Sequence, residues 1–203
     1  MLSLRFIDGR LPRVLRVAAA LITSAAMVSP IGNPPPASAA NAGTALQFNG
    51  SSQYATLGAA TDLRTPQFTL ELWLKRTGAG VGTSTGSGGI ASAIPLITKG
   101  RAEGETAAAD VNYFFGIDAT SGKLVADFEE AQVAQGGTTP GLNHPITGGA
   151  IIPADNSWHH AAVTYDGTTW NLYLDGNPDG TLAVGRTPNT ATTAVTAVGS
   201  SLN

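Results

Sequence analysis

From Phe68 to Lys75 the chain reads "FTLELWLK", and its apolar residues fall on every second position. Phe68, Leu70, Leu72 and Leu74 share one face of an extended segment; Thr69, Glu71, Trp73 and Lys75 share the other. Alternation of this kind belongs to a β-strand with one face in a core. A helix would scatter the same four apolar residues around its circumference. The period returns between residues 155 and 177, "DNSWHHAAVTYDGTTWNLYLDGN". His159, Ala161, Val163 and Tyr165 oppose Trp158, His160, Ala162 and Thr164. After "DGTT", Trp170, Leu172 and Leu174 oppose Asn171, Tyr173 and Asp175. This predicts a β-hairpin closed by a tight turn.

The rest of the chain from Asn41 onward supports an all-β reading. "TALQFNG", "SQYATLG", "IPLITKG", "DGTLAVG" and "TAVTAVGS" read as short strands, and "VNYFFGID" with "KLVADFEE" reads as a hairpin around "ATSG". The 25 glycines and 12 prolines favour turns over long helices. About nine or ten strands at turn-punctuated intervals predict two antiparallel sheets packed face to face. Residues 77–89 and 131–150, rich in glycine, read as loops, the first of them mobile. No repeat of solenoid or propeller length and no second domain is visible.

The N-terminus has its own logic. Arg5, Arg10, Arg13 and Arg16 precede an apolar run at residues 17–28, and small residues Ala37 and Ala39 follow. That is the build of a secretory signal peptide over residues 1–40, with cleavage expected after Ala39 or Ala40. The apolar run falls short of the roughly 20 residues of a membrane span. The expected product is secreted or held at the cell surface, without membrane insertion. Cysteine is absent, so neither a disulfide framework nor a thiolate metal site can form. Residues 41–203 hold 7 basic and 13 acidic side chains, a net charge of 7 − 13 = −6. A chain of that balance has no overall electrostatic drive toward nucleic acid.

His159 and His160 invite a catalytic or metal reading. Neighbours on a strand point to opposite faces, so their rings diverge, and zinc needs three or four converging ligands. The third histidine, His144, sits in a different segment. The pair therefore reads as architecture, with the ring nitrogens of His160 bonded inside the fold. Trp73, Trp158 and Trp170 read as core or inter-sheet packing. No nucleophile elbow and no phosphate-binding glycine motif occurs in a strand–helix context.

The stretch "WHHAAVTYDGTTWNLYLDG" resembles the signature of laminin-G-like, concanavalin A-like jelly-roll domains. "ALQFNGSSQYATLG" resembles the opening strand pair of that family, and "FTLELWLK" its F-T-x-E-x-W strand. "LITKG" and "GIDATSGKLVADF" stand where its middle strands stand. The likeness covers roughly residues 44–203 and implies a jelly-roll sandwich over residues 41–203. Family members continue into a closing strand beside the early ones. Here the sequence stops at Asn203 after "GSSLN", so the expectation is a domain lacking its last strand, taken from a longer protein.

The resemblance implies a module that recognises carbohydrate or extracellular protein. Its lectin-like candidates are Tyr54, Asn143, His144 and Glu129. It also implies a calcium ion, held by hard oxygen donors in loops. Asn49, Gly50 and Gln53 occupy the opening loop where relatives often carry Asp, and Asp110 and Asp127, with Asn112 and Glu129, form a second oxygen-rich group. The same fold hosts glycoside hydrolases with acids on alternating positions of one strand. In "KLVADFEE" Asp127 and Glu129 share a face but position 125 is Val, so the set is incomplete, and the acids read as a solvated strand end. A non-catalytic binding module is the reading this supports; a glycan-cleaving enzyme and a structural spacer beside an enzyme are the alternatives.

Overall fold

The computed structural model of the chain describes residues 2–3, 45–101 and 106–202. The expected signal peptide lies, apart from a two-residue strand, outside these residues. The strands are β1 (Leu2–Ser3), β2 (Ala55–Thr56), β3 (Phe68–Leu74), β4 (Ala93–Lys99), β5 (Tyr113–Asp118), β6 (Lys123–Asp127), β7 (Ile146–Ile151), β8 (His159–Tyr165), β9 (Thr169–Leu174), β10 (Asn177–Ala183) and β11 (Thr196–Val198). They form two antiparallel sheets, ordered β1-β3-β8-β9-β10 and β2-β11-β4-β5-β6-β7. Helix is confined, among the described residues, to 3-10 turns at Thr61–Leu63 and Val133–Gln135. No helix there is long and apolar enough to cross a membrane.

The period-two pattern decides which side chains meet between the sheets. Phe68, Leu70, Leu72 and Leu74 of β3 join Ala161, Val163 and Tyr165 of β8 and Trp170, Leu172 and Leu174 of β9 in one buried cluster. The second sheet answers with Tyr113, Phe115 and Ile117, then Leu124 and Ala126. At its centre Phe128 and Trp170 lie 5.4 Å apart between ring centroids, and Tyr165 lies 4.9 Å from each. Polar atoms of these rings are paired: Trp170 Nε1 donates to the His144 carbonyl at 3.0 Å, and Tyr165 donates its hydroxyl to the Arg186 carbonyl at 2.5 Å. A buried indole or phenol usually finds such a partner.

Both hairpins form. Tyr165 pairs with Trp170, Val163 with Leu172 and Ala161 with Leu174. Asp166 Oδ1 closes the turn by accepting from Thr168 N and Thr169 N, each at 2.8 Å. Phe115 pairs with Ala126 and Ile117 with Leu124, and Asp118 Oδ1 gathers the N–H groups of Thr120 and Ser121 in the turn.

Three expectations meet a different outcome. Trp73 and Trp158 are not core residues; they are 37% and 38% exposed, and only Trp170 is buried. Trp73 lies on the face of β3 opposite Leu72 and Leu74, which alternation dictates, and stacks on His160 across the ladder at 5.3 Å. The excursion at residues 131–150 holds a true strand, β7, at the edge of the second sheet. Its glycines serve a close approach: a Cβ on Gly148 would stand 1.9 Å from Asp179 Oδ2, and Asp179 Oδ1 accepts from Ala150 N at 2.7 Å. Finally, Asp127, Glu129 and Glu130 are not solvated; each is wholly buried. Residues 84–92 and 130–144 cover them, and a second apolar cluster of Ile90, Ala93, Val111, Phe114 and Val125 buries the other face of β4, β5 and β6.

Candidate functional site

The two adjacent histidines separate as a pleat requires. His159 sets Nδ1 2.8 Å from Asp175 and Nε2 3.4 Å from Asp155. The hydrogen bond it donates to Asp175 raises its pKa above the ordinary value. His160 faces the opposite side, with Nε2 3.4 Å from Glu71. It is partly exposed, and its ring rests on Trp73. Among the described residues no group of three or more His, Asp or Glu side chains is arranged to hold a metal.

The acids after β6 act as tie points. Asp127 Oδ2 accepts from Thr85 Oγ1 at 2.5 Å, and Oδ1 accepts from His144 N at 2.8 Å. Burial pushes its pKa up to about 7, against the pull of the Thr85 hydroxyl and the His144 N–H. Thr85 is itself held by Ile90 N at 2.6 Å, and Gly89 packs so close that a Cβ would stand 2.7 Å from Asp127 Oδ2. Glu129 Oε2 accepts from Val111 N, and its backbone bridges Asn143. Asn143 donates to the Ser87 carbonyl at 3.0 Å. Glu130 Oε1 accepts from Thr138 N, Thr138 Oγ1 and Thr139 N, and Oε2 lies 3.0 Å from His144 Nε2 and 3.7 Å from Arg186 Nε. Burial alone would raise the Glu130 pKa; the Thr138, Thr139 and His144 donors outweigh it and bring the carboxyl down to about 2. Glu129, Asn143 and His144, three of the four ligand candidates, thus belong to one buried polar network that seats residues 84–92 and 130–144.

The fourth, Tyr54, stands elsewhere. A cleft of about 660 Å³ opens at one end of the sandwich between residues 48–54, residues 74–83 and residues 199–201. Leu74, Leu96 and Ile117 lie at its inner end, and Tyr54 lines it with 49% of its surface exposed. Asn49 organises the first wall: its Oδ1 accepts from the N–H of Ser51, Ser52 and Gln53, and its Nδ2 donates to Ser52 Oγ at 3.0 Å. Gln53 Oε1 accepts from Asn49 N at 3.0 Å. Gly50 has a positive φ of 74° and approaches Gly80 of the opposite wall, 3.8 Å from a Cβ position to the Gly80 Cα. Lys75 and Arg76 line the second wall, and Arg76 Nη1 donates to the Ile152 carbonyl at 3.0 Å.

These bonds test the calcium assignment. A calcium site needs oxygens with lone pairs turned to a common point. Asn49 Oδ1 already receives three N–H groups and Gln53 Oε1 receives one, so these two side-chain oxygens are turned to the loop's own backbone. Both Asp127 oxygens accept bonds as well. What composition did not reveal was the basic wall. Its trace in the sequence is the pair Lys75-Arg76 directly after the strongest strand.

Two packed antiparallel sheets, an inter-sheet aromatic core and a loop-lined cleft at the rim define a two-sheet antiparallel β-sandwich. The family model for the concanavalin A-like lectin/glucanases superfamily matches residues 49–203, and the chain belongs to that family. Among solved structures the chain is similar to the Ruminococcus gnavus IT-sialidase CBM40, at 14% identity and a TM-score of 0.48, covering 69% of this chain and 67% of that one. It is similar to the same module bound to alpha2,3 sialyllactose at 12% identity and a TM-score of 0.48, covering 68% and 66%. For the form bound to alpha2,6 sialyllactose the identity is 12%, the TM-score 0.45 and the coverage 66% and 64%. No curated protein matches the chain.

Proposed function

We propose that the chain is an exported, non-catalytic module that binds saccharide in the end cleft. The observation that carries this reading is the composition of the cleft: an exposed Tyr54 ring, the side-chain NH2 groups of Asn49 and Gln53 as donors, and no Asp or Glu among its described lining residues. A pyranose offers an apolar C–H face to an aromatic ring and hydroxyls to amides, and pockets of this mixed kind orient small ligands. Family membership supports the same direction, since lectins give the superfamily part of its description. Glycoside hydrolysis needs two carboxyls flanking the bond, about 5 to 9.5 Å apart, in a groove that admits substrate. Asp127, with its raised pKa, has the acidity of a general acid, but it is buried beneath Thr85 and Gly89, where substrate has no entry. Export is supported by the arginine-flanked apolar run of residues 1–40.

The test is saccharide binding by glycan array and calorimetry, with reducing-end release measured in the same samples. The expected result is binding that weakens about tenfold or more in Tyr54→Ala, with no reducing ends formed and no change on adding a calcium chelator. Release of reducing ends, or binding indifferent to Tyr54, would overturn the reading.

A further inference from the structure

Asn49 is followed by Gly50, and this is the one Asn-Gly pair in the sequence. Both residues are exposed and line the rim of the end cleft. A backbone nitrogen reaches the preceding side-chain amide with least hindrance when it belongs to glycine, which brings no Cβ. The loop then arranges the groups around that amide. Asn49 Oδ1 accepts from Ser51 N at 3.0 Å, Ser52 N at 2.9 Å and Gln53 N at 3.1 Å. Three N–H groups aimed at one carbonyl oxygen draw electrons from Cγ, and they stand where negative charge develops if Cγ becomes tetrahedral. Asn49 Nδ2 donates to Ser52 Oγ at 3.0 Å, which sets a hydroxyl against the nitrogen that would leave. The Gly50 nitrogen donates to no acceptor among the described residues. Asn156 provides the contrast: it is also exposed and precedes a small residue, but Ser157 N already donates to Asp155 Oδ1 at 2.8 Å.

We propose that Asn49 is a self-modifying residue, whose amide the folded loop converts to a carboxylate. A base in the solvent takes the Gly50 N–H proton as that nitrogen bonds to Asn49 Cγ. The charge on Oδ1 is held by the N–H groups of Ser51, Ser52 and Gln53. The Cγ–Nδ2 bond then breaks, and the nitrogen departs as ammonia with a proton from the Ser52 hydroxyl, which the protonated base restores. Water opens the resulting five-membered imide at either carbonyl and leaves aspartate or isoaspartate at position 49. The step consumes one water, releases one ammonia and needs no oxidant. The product lies in the cleft lining, so conversion withdraws the Nδ2 donor offered to a ligand there; that consequence alone rests on the saccharide reading.

The experiment is incubation of the full chain at neutral pH, followed by digestion under mildly acidic conditions and peptide mass spectrometry that separates aspartate from isoaspartate. The same chain unfolded in urea is the reference, because it keeps the Asn-Gly pair and loses the loop. The expected result is conversion of Asn49 about tenfold or more faster in the folded chain than in the unfolded one, with Asn156 unchanged over the same interval. Ser52→Ala keeps the three backbone donors and removes the proton source; it should slow the folded rate about threefold or more and leave the unfolded rate unchanged. Equal thermal unfolding of that variant and the wild type excludes a folding artefact. A folded rate equal to or below the unfolded rate would overturn the inference, since the bonds would then only restrain the amide. Saccharide titration of fresh and converted samples keeps the two readings apart. Conversion without binding of any saccharide by the fresh chain leaves the chemistry standing and sinks the binding module; Tyr54-dependent binding without accelerated conversion does the reverse.

Discussion

Replacing Asp127 by Asn tests whether a carboxyl is kept protonated inside this fold. Asp127 is fully buried, and burial lifts its pKa from an ordinary 3.8 to about 7. The folded protein therefore holds a proton that the unfolded chain releases near pH 4. Stability from this group is complete below pH 3.8 and is lost as pH rises through about 7. A rise of about three pH units, at about 1.4 kcal/mol each, makes that loss about 4 kcal/mol. The asparagine amide copies the protonated acid once the Thr85 hydroxyl, which donates to Oδ2 in the structure, turns away: Oδ1 accepts from His144 N, and Nδ2 donates to Thr85 Oγ1, which also accepts from Ile90 N. Asp127→Asn should then match the wild type within about 1 kcal/mol at pH 4.5 and exceed it by about 3 kcal/mol or more at pH 8.5, read by urea unfolding at each pH. Equal pH slopes for the two proteins, or a variant destabilised by more than about 2 kcal/mol throughout, would show that the carboxylate is ionised in the fold and that its bonds depend on the charge.

Two further outcomes follow from the same polar framework. Glu130→Gln removes the charge that the Thr138, Thr139 and His144 donors surround; it should cost about 2 kcal/mol and speed protease cleavage near Val133, the exposed residue of the segment Glu130 anchors. The Glu130 contribution is present above pH 4.5 and fades as pH falls toward 2, so the variant should flatten acid unfolding in that window. Asp175→Asn should lower the NMR titration midpoint of His159, because the Asp175 bond is the main cause of its elevation. Asp175 is well exposed, so the stability change should stay below about 1 kcal/mol; the His159 part is present below pH 6.5 and lost as pH rises through the raised pKa.

What the sequence made legible is what alternation controls. The buried row of β3 and the divergence of His159 and His160 follow from period two alone, and both hairpins announce themselves through aspartates that close their own turns. Trp73 was legible too: its parity set it opposite Leu72, and only the habit of assigning tryptophan to the core obscured that. β7 was hidden because Gly148 and Gly149 carry the composition of a loop, and the reason for them, the approach of Asp179, comes from a strand thirty residues on. The acids at 127–130 read as solvated for a similar reason. Their burial depends on Thr85 and Ile90 on one side and Thr138, His144 and Arg186 on the other, contacts that no local pattern encodes.

The placement of these acids also explains why net charge misdescribes the surface. A carboxylate enclosed by several N–H donors and a guanidinium projects little field, and one that keeps its proton projects none. Glu130 is the first kind and Asp127, below pH 7, the second. Two of the thirteen acids of residues 41–203 are thereby withdrawn from the surface balance. Charges farther than about 10 Å are largely screened at ordinary salt, so the net charge of −6 over residues 41–203 bounds only the long-range attraction of polyanions such as nucleic acid.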